Sequence, residues 1–231
     1  MKERIYSIPL TDALNENCDC VMCTLEKKLE NDAVEYFMGA SKMEPDIRIM
    51  TNKKGFCRRH LHMMEESGSP LGLALMLDTH LTELRGRIEK KGKIGGLFAA
   101  KKNADAICEE LSKIIDGCVV CDKLDGHVFD AAANLVYLWD KEADFRKKLE
   151  ESKGLCLPHM LLALKAAATE LGGKRLDEFV DFVVGTQNEK LETLNEDVNW
   201  FTKKFDFNHK DDDWKNSKDA VPRAVNKLVK Y

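Results

Sequence analysis

One pattern of cysteine, histidine and glycine occurs twice in the chain, and no other feature limits the fold as much. Cys20, Val21, Met22 and Cys23 recur as Cys118, Val119, Val120 and Cys121, a shift of 98 from 20 to 118. Gly55, Phe56, Cys57, Arg58, Arg59 and His60 recur as Gly154, Leu155, Cys156, Leu157, Pro158 and His159, a shift of 99 from 55 to 154. Two shifts that agree to within one residue mark a tandem duplication of one structural unit.

What lies between the motifs has a helical period. Leu25, Leu29, Ala33, Val34, Phe37 and Met38 follow the three-and-four spacing of an amphipathic helix from Thr24 to about Met38. Val128, Ala131, Ala132, Leu135, Val136, Leu138 and Trp139 repeat it in the second copy. A further apolar helix starts at each Cys-x-x-His, with Leu61 and Met64 in one copy and Met160 to Leu164 in the other. Ala104, Ile107, Cys108, Leu111, Ile114 and Ile115 form another stripe that Asp116 and Gly117 end, and Thr11 to Asn17 stands in the same relation to Cys20. Strand-type alternation is scarce. The reading is all-α: two tandem helical modules, each with a Cys-x-x-Cys knuckle and a Gly-x-Cys-x-x-His helix start, packed into one bundle-like protein. Glycines and lysines in Glu89 to Asn103 separate the copies. The expected domains are therefore 1–100, 101–204 and a C-terminal docking tail, 205–231. In that tail Val221, Ala224, Val225 and Leu228 make a short amphipathic helix, with Pro222 suited to its first turn, that docks back together with Trp214.

Two cysteines separated by two residues can grip one ion from a tight turn, and a cysteine at a helix start shares a helical face with a histidine three residues on. Within each copy the four residues make a Cys3His set: Cys20, Cys23, Cys57 and His60 as site 1, Cys118, Cys121, Cys156 and His159 as site 2. Three soft thiolates and one imidazole suit tetrahedral zinc and leave no position for water or substrate, so the expectation is two structural zinc ions per chain. The same ligand types also suit an iron–sulfur cluster. A c-type haem needs histidine directly after the knuckle, where Thr24 and Asp122 stand. Arg58 and Arg59, with Lys53 and Lys54, predict a solvent-facing first site with a basic rim that could meet an acidic partner or phosphate. Leu157 and Pro158 predict a second site packed against protein.

The remaining candidates carry less. Cys18 could replace Cys20, but the repeat register favours Cys20. Cys108, on an apolar stripe, reads as a core thiol, and His62, His80 and His127 as surface or satisfied core residues. Asp211, Asp212 and Asp213 beside His209 read as a solvated loop, because adjacent acids radiate in different directions. No phosphate loop, serine elbow or His-Glu-x-x-His occurs, so the chain leans away from an enzyme. A net charge of −4 gives no global field for nucleic acid. No apolar run reaches the roughly 18 residues of a membrane span, and the N-terminus turns polar before a secretory core develops, which points to the cytoplasm.

The two Cys-x-x-Cys and Gly-x-Cys-x-x-His motifs are joined by Trp214 and by Lys218, Asp219, Ala220, Val221, Pro222, Arg223 and Ala224. In these residues the chain resembles an uncharacterised bacterial family classed as a domain of unknown function, over nearly its whole length. The resemblance implies a family without an activity. The residues themselves point to a cytoplasmic zinc-binding helical protein, a binding or scaffold module for a protein partner. A thiol redox switch that releases zinc, or an iron–sulfur protein, is the alternative.

Overall fold

The computed structural model describes residues 5–16, 18–93, 95 and 99–230. Asn17, Ile94, Gly96 to Phe98 of the expected linker, and Tyr231 of the expected tail lie outside the described residues. Among those described there are eleven α-helices, one 3-10 helix and no strand. In order these are α1 (Ser7–Asn15), α2 (Val21–Met38), the 3-10 helix (Ala40–Met43), α3 (Pro45–Lys54), α4 (Arg58–Glu66) and α5 (Pro70–Lys91). Then come α6 (Ala99–Ile115), α7 (Val119–Lys141), α8 (Ala143–Glu151), α9 (Leu157–Glu170), α10 (Gly173–Lys203) and α11 (Ala220–Leu228). The chain divides into two compact units, Met1–Lys27 with His127–Tyr231, and Lys28–Gly126. Their borders fall inside α2 and α7, not at the linker, so they do not follow the sequence copies.

In the Lys28–Gly126 unit, Val34, Phe37 and Met38 of α2 bury against Met64 of α4, Met76 of α5 and the start of α7, with Cys57 and Cys121 packed on the edge of the cluster. The Phe37 ring meets Phe56 edge-on at 5.9 Å, which sets the glycine turn against the core. α3 packs on α5 and α6. α6 buries no residue fully; Ile107, Leu111 and Ile114 are half-buried while Cys108 and Ile115 are exposed. Cys108 is thus not the core thiol its stripe suggests. Residues 108 and 115, seven apart, lie together on the outer edge of a face too narrow to bury both.

In the other unit the α7 stripe from Val128 to Trp139 is buried as its period predicts. Trp139 meets Phe179 edge-on at 4.9 Å, and the Arg146 and Arg175 guanidinium groups lie 4.7 and 4.5 Å from its ring centre. α10 packs on α9 and α11. The tail helix α11 docks by an unexpected edge: Ala220 and Lys227 are buried, whereas Val221, Val225 and Leu228 are exposed. Trp214 packs instead on Phe201 and Phe205. The acidic segment is closed by a cation of the chain itself, since buried Lys204 Nζ donates to the carbonyls of His209 (2.7 Å), Lys210 (2.9 Å) and Asp212.

Candidate metal centres

Each half-motif stands at a helix start. Cys57 and Cys156 immediately precede α4 and α9 with extended backbone, and Cys20 and Cys118 immediately precede α2 and α7. The glycines explain the sharp entry. Gly55 has φ 72 and ψ −160, a region essentially closed to residues with a side chain, and Gly154 has φ 78. A Cβ on Gly55 would lie 3.1 Å from His80, and one on Gly154 3.0 Å from Gln187 Oε1. The partial positive charge of four helix N-termini is therefore brought to the sulfurs, where it favours thiolate.

The eight candidate ligands gather into two quartets, but not the two that the repeat register predicts. Cys20 and Cys23 meet Cys156 and His159, and Cys57 and His60 meet Cys118 and Cys121. Each knuckle takes its other half from the other copy. The helix lengths are consistent with this exchange. At about 1.5 Å per residue the 18-residue α2 carries the chain about 27 Å from its knuckle, and the 10-residue α3 can return only about 15 Å. The 23-residue α7 and 9-residue α8 repeat the mismatch, at about 35 and 14 Å. The helices that follow return the chain only part of the way, and each Cys-x-x-His stands at the knuckle of the other copy.

Within each quartet the donors approach a tetrahedron. His159 Nδ1 lies 3.6, 3.4 and 3.1 Å from the sulfurs of Cys20, Cys23 and Cys156, and Cys23 lies 3.5 Å from Cys156. His60 Nδ1 lies 3.2, 3.2 and 3.4 Å from Cys57, Cys118 and Cys121, and Cys57 lies 3.9 Å from Cys121. Zinc with Zn–S of about 2.3 Å and Zn–N of about 2.0–2.1 Å requires donor edges of roughly 3.5–3.8 Å, which these distances bracket. The expected contrast between an open and a packed site does not survive the exchange of halves. Cys23, Cys57 and Cys121 are half-buried and the other ligands buried, and Leu157 is 38% exposed. A cleft of about 180 Å³ lined by Asp19, Cys20, Cys23, Thr24, Lys27 and Asn226 opens onto the Cys20 quartet.

Two residues escaped the sequence reading. Glu26 and Glu30 on α2 are buried, and each places a carboxylate oxygen 3.0 Å from the outer nitrogen of a ligand histidine, Glu26 at His159 Nε2 and Glu30 at His60 Nε2. A carboxylate there fixes the ring and presents Nδ1 inward. Their only trace in the sequence is two acids beside Leu25 and Leu29 on a stripe otherwise buried. Each has a cationic partner: Lys230 lies 2.6 Å from Glu26, Arg59 2.5 Å from Glu30.

Charge is shared unevenly among the ligands. Hydrogen bonds from Cys20 and Cys23 outweigh burial and lower Cys156 to about 3, while Cys23 is raised by those bonds and by burial. Burial opposes charge on His159, but Cys20 and Glu26 raise it to about 9. Burial also opposes the Cys118 thiolate, yet His60 and the Cys121 and Cys57 backbone lower it to about 6; burial and Cys118 push Cys121 up to about 12.

The predicted rim divides. Lys54 pairs with Asp122 and Arg59 with Glu30, whereas Lys53 and Arg58 are exposed. Cys18 is not in a quartet and donates to the Ala13 carbonyl at 3.4 Å. His62 is exposed beside Glu65, His80 contacts the Asn52 carbonyl and His127 the Tyr6 hydroxyl.

The model of a family of unknown function, DUF6062, matches residues 1–231. The chain belongs to the DUF6062 family. No curated protein and no solved structure matches it. The chemistry that this DUF6062 chain presents is that of the quartets: two groups of three thiols and one imidazole that could each hold a metal ion, backed by a buried carboxylate.

Proposed function

We propose that this protein is a cytoplasmic zinc-binding helical protein with two structural centres, serving as a binding or scaffold module. The observation that carries the reading is closure. Each quartet supplies four donors converging on one point, within 4.8 Å of one another, which suits tetrahedral zinc with no ligand position left for substrate. Edges of 3.1–3.9 Å fit a single ion and leave no room between the ligands for the iron and sulfide of a cluster. No described helix is long and apolar enough to cross a membrane. Metal analysis of purified protein should return about two zinc per chain and no visible absorbance. Folded protein without metal would overturn the proposal, and a coloured, iron-containing one would replace it with the cluster reading.

The cleft over Cys20 and half-buried Cys23 favours one second reading, a redox switch. Peroxide would take two electrons from these thiolates, forming their disulfide, and with two protons leave as two waters while the zinc is released. Zinc release at low peroxide dose, reversed by a thiol reductant, is the required result; release only on unfolding would remove it.

A further inference from the structure

The two centres hold their outer carboxylates differently. Glu30 pairs with Arg59, which stands between Cys57 and His60 in the motif itself. The matching position in the other copy is Pro158, which has no charge to offer. Glu26 takes its cation from the far end of the sequence, where Lys230 lies 2.6 Å from its Oε1. α11, just before Lys230, reaches the same centre twice more. Buried Lys227 donates to the carbonyls of Lys153 and Leu155, on either side of Gly154, at 2.5 and 3.2 Å. Asn226 lies 3.5 Å from Asp19, the neighbour of Cys20. One short helix thus touches the neighbour of the knuckle and the glycine turn, and Lys230, two residues past its end, touches the outer carboxylate.

From this we propose that α11 and Lys230 belong to the Cys20, Cys23, Cys156 and His159 centre. Lys230 and Lys227 are positioning residues, and Lys230 does for Glu26 what Arg59 does for Glu30. A buried carboxylate between a histidine N–H and a cation is fixed in place; without the cation its charge is uncompensated and its hold on the imidazole loosens. The same assignment explains how the helix docks. α11 is held through buried Ala220, through Arg223 on Asp197 of α10 at 2.9 Å, and through Lys227 and the charged contacts at the centre, so its apolar residues Val221, Val225 and Leu228 need not face inward.

The inference rests on the metal reading, which the metal content of the unaltered protein tests alone. Its own test is the release of bound zinc to a chromophoric chelator. Lys230→Met should speed the release of one of the two metals by about 10-fold or more and leave the other unchanged. Arg59→Met should speed the other one, the double variant both, and Lys230→Arg should restore the original rate. Unaltered release in Lys230→Met, acceleration of the same metal by both single variants, equal acceleration of both metals by Lys230→Met, or failure of Lys230→Arg to restore would each overturn it, provided the unaltered protein carries two.

Discussion

A buried histidine set among thiols and a carboxylate decides at the residue scale how stability responds to pH. In the metal-free chain Cys156, lowered to about 3 from 9.0, contributes stability that is complete above pH 9 and lost as the pH falls toward 3. His159, raised to about 9 from 6.5, contributes stability that is complete below pH 6.5 and lost as the pH rises through 9. Between about pH 6.5 and 9 these two slopes are opposite and cancel, and in the other quartet the rise from Cys118, lowered to about 6 from 9.0, is opposed by His60, which burial lowers but Cys118 and Glu30 raise on balance. Below that window Cys118 and Cys156, and further down Glu26, lose their contributions in turn, and acid destabilises. Above it Cys23, raised in the fold, keeps a proton that the unfolded chain loses, and base destabilises. Thermal melts of chelator-treated protein should therefore show a plateau over the window and a fall on either side. A melting temperature that climbs steadily from pH 6.5 to 9 would contradict this charge assignment.

At the scale of elements, the glycine turns matter because they aim a helix start at a candidate metal centre. Gly154→Ala places a Cβ at φ 78 and 3.0 Å from Gln187 Oε1, so it should cost about 1–3 kcal/mol in chemical denaturation and lower metal content, whereas exposed Gly126→Ala should do neither. Most helices were visible in the sequence for a physical reason. α2 and α7 bury wide apolar faces, so Leu25 to Met38 and Val128 to Trp139 carry a strong period. Where packing is weak the period misleads. α6 has an apolar stripe wider than the face it buries, which leaves Cys108 outside, and α11 is placed with the help of Arg223, Lys227 and the following Lys230 while its valines face outward. Apolar periodicity has no means of registering a helix held by charge.

For the whole molecule, the eight cysteines and histidines that gather into the quartets could be picked out by spacing, because knuckle and helix-start spacings suited to tetrahedral coordination seldom arise otherwise. Their partition could not. Exchanging the second halves between copies leaves both shifts, 98 and 99, unchanged, so register is silent on the choice. The long α2 and α7 against the short helices that follow are consistent with the exchange, but no residue pattern records it. The compact units obey the exchanged quartets, each unit containing all four ligands of one centre. Zinc in such a centre would staple segments far apart in sequence, Cys20 with Cys156 and Cys57 with Cys118, so metal removal should unfold more than one copy of the repeat.

Metal stoichiometry in paired serine variants tests this partition most directly. Cys20→Ser with Cys156→Ser removes two ligands from one quartet and should leave about one metal per chain, whereas Cys20→Ser with Cys57→Ser damages both quartets and should leave almost none. One metal retained in the second variant and none in the first would contradict it.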